Sequence, residues 1–155
     1  KCFLESEEYK RYEISNYAKK GRECRHNIKY WSGDNYYGFG VAAASLVNDI
    51  RYINIDNRSE YINLQGIPNA IRQEVNKLTF NNKIEEFMFL GLRKTDGISE
   101  EEFYRRFGKK ILNLYGDVIR KYIDNGMLIE SRGRIYLSEK GVDVSNVIMA
   151  DFLID

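Results

Sequence analysis

The spacing of apolar residues changes near residue 80, and that change commits the chain to two unlike halves. Before it, apolar residues come in short bursts between turn residues. "YKRYEISNYA" (9–18) and "YYGFGVAAASLV" (36–47) are predicted as strands, the second so continuously apolar that both its faces should be buried. "RYINI" (51–55) should return as a hairpin through Asn48 and Asp49. Gly38 and Gly40 interrupt a strand pattern, which marks either a close approach by backbone or ligand, or small residues packed beneath a helix. Residues 59–78 should be helical on both sides of a break at Gly66–Pro68.

After residue 80 the period becomes helical. Asn82 and Glu85 form a candidate capping box for a helix reaching about Arg93. Ile84, Phe87, Met88 and Leu92 share one face of it, and Phe89 and Leu90 widen the stripe, so it should be central. Ser99 with Glu102 repeats the cap signal and opens a short helix bearing Phe103 and Phe107. A third helix spans about 111–125 and closes at Asn125-Gly126. A hairpin (127–130 and 135–137) should turn at Gly133, and Ser138 should cap a last helix with Val144, Val147, Ile148 and Phe152 inward. The expectation is an α+β chain divided at 78/79, with residues 79–155 forming a winged-helix-like module.

Charge narrows the function. There are 24 basic and 23 acidic side chains for a net +1, and Lys109, Lys110, Arg120, Lys121, Arg132 and Arg134 are interleaved with acids. A winged-helix DNA reader is therefore a rival reading without a clean basic face, and no nucleic-acid partner is expected. No apolar run approaches the roughly 20 residues of a membrane span. The start "KCFLESEEYK" has no signal-peptide character and reads as a cut from a longer protein. Two cysteines, Cys2 and Cys24, fit a reduced cytoplasmic chain.

"ECRHNIKYWSG" (23–33) concentrates rare residues: the only His, the only Trp and one of the two Cys. Cys24 and His26 fall short of the four ligands of a structural zinc site. His26 is a candidate axial ligand for a haem iron. Tyr30 and Trp31 offer aromatic area for a flat macrocycle, and Arg22, Arg25 and Lys29 offer partners for its propionates. The competing reading is that His26 and Asn27 satisfy loop backbone groups while Trp31 plugs the end of the fold.

"YEISNYAKKGRECRHNIKYW" (12–31), "YYGFGVAAAS" (36–45) and "EEFMFLGLRKTDGIS" (85–99) together resemble oxygen-independent coproporphyrinogen III oxidase-like proteins of the radical S-adenosylmethionine superfamily. The likeness is collinear from about residue 9 to 153. It implies that residues 1–78 are the closing strands of a truncated partial (β/α) barrel and residues 79–155 the family's carboxy-terminal domain. It also implies a longer parent whose CxxxCxxC motif holds a [4Fe-4S] cluster. This chain lacks that motif, so alone it should be catalytically inert.

His26, Asn27, Tyr30 and Trp31 match the HNxxYW signature of the family's haem-chaperone branch, which implies haem as cargo, His26 as its iron ligand and respiratory haem proteins as recipients. Gly38, Gly40 and Ala44 would lie on the strand bordering S-adenosylmethionine. Two positions depart from the pattern: Ala44 replaces a histidine of many relatives, and Lys20 a proline. The rival within the family is an authentic coproporphyrinogen III oxidase, which decarboxylates propionates.

Overall fold

A computed structural model describes residues 2–154; Lys1 and Asp155, the outer ends of the two expected domains, lie outside it. The elements run α1 (Cys2–Ser6), β1 (Lys10–Arg11), β2 (Tyr17–Ala18), α2 (Arg25–Trp31), β3 (Ala44–Val47), β4 (Ile50–Asn54), α3 (Arg58–Asn63), α4 (Pro68–Ile71) and β5 (Arg72–Lys77). They continue with α5 (Phe80–Arg93), β6 (Ile98–Ser99), α6 (Glu100–Phe107), α7 (Ile111–Asp124), β7 (Leu128–Ser131), β8 (Arg134–Leu137), α8 (Glu139–Asp143) and α9 (Ser145–Ala150). The architecture is mixed α+β with small open sheets.

Two compact units emerge, and they do not follow a cut at 78/79. One joins the residues up to Gly33 with those from Ile84 onward; the other is Asp34–Lys83. In the second unit, β3, β4 and β5 form an antiparallel sheet in that order. The hairpin turns at Asn48 and Asp49 as expected, both at positive φ (51° and 64°), the mirror-type turn whose twist suits paired strands.

Two elements of this unit differ from expectation. Residues 37–43 are a loop, Tyr36 makes a single antiparallel bridge to Leu46, and strand structure is confined to 44–47. A side chain at Gly38 would overlap the Ala44 carbonyl oxygen, so the chain doubles back on itself and only glycine fits the crossing. Residues 72–77 are a strand, although Ile71, Val75 and Leu78 also suit a helix. The open edge of β4 takes up the backbone groups of β5, and that tertiary pairing overrides local preference.

In the first unit, residues 9–18 are two short paired strands with a turn between them, instead of one strand. The cap of α5 lies one turn earlier than expected. Thr79 Oγ1 accepts from the Asn82 backbone N–H (3.1 Å), and Asn82 Oδ1 accepts from the Thr79 N–H (3.1 Å). Ser99 caps α6 as read, accepting from the Glu102 N–H at 3.2 Å. The hairpin β7–β8 turns at Arg132-Gly133, and β6 adds a third strand against β8.

Ser138 caps α8, but the expected single last helix breaks at Val144 (φ −119°, ψ 22°) before α9. Ile148 and Phe152 are buried; Val144 and Val147 face outward. The core gathers Ile84, Met88 and Leu92 of α5 with Phe103, Ile111, Ile119, Leu128, Ile135, Ile148 and Phe152. Burying each such side chain contributes roughly 1.5–3 kcal/mol. Ile14, from the amino-terminal hairpin, packs on the same core.

Candidate functional site

The HNxxYW residues lie on α2, a seven-residue helix. Its amino-terminal cap residue Cys24 makes no side-chain hydrogen bond, and at the other end the Ser32 N–H donates to the Ile28 carbonyl. Gly33 (φ 67°) then turns the chain away.

His26 and Tyr30 are one helical turn apart and share a face. Their rings meet edge to face, centroids 4.7 Å apart at 89°. His26 is exposed and Tyr30 half-buried. Asn27 and Trp31 form the next such pair, both half-buried. The helix thus shows imidazole and phenol outward and leans its indole on the protein. Arg22, Arg25 and Lys29 are exposed around it.

Behind the indole stands a group the sequence reading missed. The Arg93 guanidinium, at the end of α5, lies 4.2 Å from the Trp31 ring centroid. Its Nη2 is 3.7 Å from Glu13 Oε2, and the Glu13 side chain is 1% exposed. Glu13 Oε1 accepts from the Ser15 N–H (3.0 Å) and from Asn16 Nδ2 (2.6 Å). The Ile14 N–H donates to the Arg93 carbonyl (2.9 Å), and Glu13 bridges Lys94 in antiparallel fashion. The available signal was a lone charge between apolar neighbours: Glu13 between Tyr12 and Ile14, Arg93 after Leu92.

Glu13 Oε2, Arg93 Nε and Trp31 Nε1 are buried without hydrogen-bond partners. A cavity of about 20 Å³ lined by Trp31, Ser32, Ser99 and Glu102, among others, adjoins the indole. It has room for a single water.

Gly38, Gly40 and Ala44 belong to the other compact unit. Gly38 and Gly40 sit on the loop before β3, and Ala44 is its exposed first residue, paired with Ile53. The Gly38 N–H donates to buried Ser45 Oγ (2.9 Å), and the Gly40 carbonyl accepts from buried Asn54 Nδ2 (2.9 Å). Gly40 takes φ 102° in open space, a conformation open to glycine. A cleft of about 220 Å³ is lined by Tyr37, Gly38, Phe39, Tyr52, Asn54 and Arg72 with neighbours. The Arg72 guanidinium lies 4.2 Å over the Tyr52 ring. Cys2 and Cys24 are both exposed free thiols. Among the described residues, no group of three or more His, Cys, Asp or Glu is placed to hold a metal ion, and no helix is long and apolar enough to cross a membrane.

Residues 78–144 match the family model of the HemN C-terminal domain. The haem chaperone HemW of Bacillus subtilis is 34% identical over 97% of this chain and 40% of its own length. That of Lactococcus lactis is 37% identical over 95% of this chain and 38% of its own. Escherichia coli HemN, described as a coproporphyrinogen III oxidase and radical SAM enzyme, shares the fold: TM-score 0.76 at 14% identity, over 98% of this chain and 38% of that one. The chain thus spans about two fifths of the length of the curated relatives it matches.

Proposed function

The chain belongs to the HemN/HemW family, and on that premise we propose that α2 is a haem-contacting element of a haem-chaperone-type protein. The observation that carries this reading is the exposed imidazole of His26, held edge-on by Tyr30. Haem brings an iron with axial positions and two carboxylates. The residues present fit such a group: His26 offers an axial nitrogen, Tyr30 and Trp31 flat aromatic area, and Arg22, Arg25 and Lys29 cations for propionates. HemW, to which the chain is similar across nearly its whole length, is by name a haem chaperone, which favours carriage and delivery, with haem proteins of respiration as recipients.

An iron–sulfur cluster does not fit this chain's residues, since two thiols are too few. The cluster and S-adenosylmethionine are assigned to the part of a HemW-length protein that this chain does not span. Gly38, Gly40 and Ala44 would border that second ligand. The sheet β3-β4-β5 would complete a partial barrel. Residues 79–155, with helices α5 to α9 and the sheet β6-β8-β7, would be its winged-helix-like domain.

Titration of the chain with hemin tests the reading, run beside a chimaera in which these residues replace the matching part of Bacillus subtilis HemW. His26→Ala should shift the Soret band and raise the Kd at least about tenfold, a loss of about 1.4 kcal/mol. Trp31→Ala should weaken binding with the Soret position kept, because it removes packing area and no ligand. An unchanged spectrum and affinity for His26→Ala would make it a surface histidine.

A further inference from the structure

We propose that Glu13 and Arg93 are positioning residues: a buried carboxylate paired with a half-buried guanidinium that clamps Trp31 and thereby sets the orientation of α2, with His26 and Tyr30 on its outer face. For its functional consequence the proposal rests on α2 being the haem-contacting element; the clamp itself does not.

A helix of seven residues without a side-chain cap cannot hold its own conformation. Its placement must come from contacts outside it. At its carboxy-terminal end these are Arg93 against the Trp31 ring, at 4.2 Å, and Arg106 Nη1 donating to the Ser32 carbonyl, at 3.3 Å. Arg93 in turn forms an ion pair with Glu13. The guanidinium is therefore shared between a carboxylate and an indole, a use that suits its planar, weakly hydrated charge and that an ammonium reproduces poorly.

Stability alone does not account for this arrangement. Glu13 is 0% exposed, and burying a carboxylate costs several kcal/mol before any pairing offsets it. The pairing is incomplete: at 3.7 Å the Glu13–Arg93 contact is an ion pair without a hydrogen bond, and Glu13 Oε2, Arg93 Nε and Trp31 Nε1 stay unpartnered. Well-packed apolar residues in place of a buried ion pair are often as stable or more so. What such residues would not supply is a directional hold on one indole. Trp31 and His26 lie on the same seven-residue helix, so a shift of the helix at its indole end carries the imidazole with it.

Trp31 is the only tryptophan, so its fluorescence reports this clamp alone. The test uses the 155-residue chain with Glu13→Gln, Arg93→Lys, Arg93→Met and the double variant Glu13→Gln/Arg93→Met, which leaves no buried charge unpaired. Circular dichroism and thermal melting establish that each is folded. In folded Arg93→Met and the double variant, Trp31 emission should shift, its acrylamide quenching should rise at least about twofold, and the hemin Kd should rise several-fold with the Soret position kept. Arg93→Lys should fall between these and the unaltered chain. Folded variants with unaltered emission and quenching would overturn the clamp. If emission responds and His26→Ala weakens hemin binding, yet the Arg93 variants bind hemin as the unaltered chain does, the positioning role falls and the haem reading stands. If emission responds while even His26→Ala leaves hemin binding untouched, the clamp stands and the haem reading falls.

Discussion

Tyr115 shows at the residue scale how a single buried atom sets a pH dependence. The residue is 4% exposed and its hydroxyl has no hydrogen-bond partner. Burial, and secondly the negative charge of Glu85, push its pKa from 10.0 up to about 12. The folded chain therefore keeps this proton where the unfolded chain loses it. The contribution is whole below about pH 10 and is lost as pH rises toward about 12. Tyr115→Phe should leave stability at neutral pH unchanged or raise it by up to about 1 kcal/mol, because it removes an unsatisfied polar group. It should also shrink the alkaline loss, leaving the share of Tyr122, which burial and Asp151 likewise raise. Urea unfolding at pH 7 and across the alkaline range measures both effects, and a clear loss at neutral pH would mean that the hydroxyl has a partner. The candidate site was legible at this scale only in part. His26 and Trp31 stand out as the single histidine and single tryptophan of the chain, although their stretch was read as a loop and forms the helix α2. Glu13 and Arg93 do not, since their pairing joins distant parts of the chain and no local pattern records it. Gly38 was legible as a close approach, but whether to a ligand or to backbone was not; the approach within this chain is to the Ala44 carbonyl.

Elements whose hydrogen bonds close within themselves were the ones the sequence made plain. Helices α6 and α7 and the Ser99 and Ser138 caps depend on residues three or four apart, the β7–β8 hairpin on pairs three to nine apart, and all formed where read. Strands β5 and β6 were missed because a strand is defined by its partner. The segment Arg72–Lys77 becomes a strand against β4, and the two residues of β6 against β8. The start of α5 shows a subtler failure. Asn82 and Glu85 have suitable spacing for a cap, yet Glu85 Oε1 accepts from the Ile154 N–H (2.9 Å) and Thr79 takes the capping role. Thr79→Ala should therefore destabilise α5 by about 1 kcal/mol, and Thr79→Ser should restore most of it. Chemical unfolding followed by circular dichroism gives the difference. An effect within error for Thr79→Ala would return the helix start to Asn82.

For the whole molecule, the order of residues along the chain and the order of packing diverge. The HemN C-terminal domain match begins at residue 78, and the change in apolar spacing falls close to it, so a cut there is what a linear reading finds. Packing gathers the amino-terminal residues up to Gly33 with the residues from Ile84 onward. Ile14 joins the helical core, Arg11 pairs with Glu139 (2.7 Å), and Glu13 reaches Arg93. None of these contacts has a local sequence signature, because each is made by a single residue of a short hairpin. Proteases should cut first within Asp34–Lys83, where loop positions such as Phe39 and Ile67 are exposed. The two outer pieces should then stay together without a covalent link, since parting them would uncover Ile14 and leave Glu13 and Arg93 without each other. Native mass spectrometry of the nicked protein reads this directly. A complex holding both pieces is the expected species; release of the first 33 residues from a stable remainder would show that the hairpin and α2 are held from elsewhere.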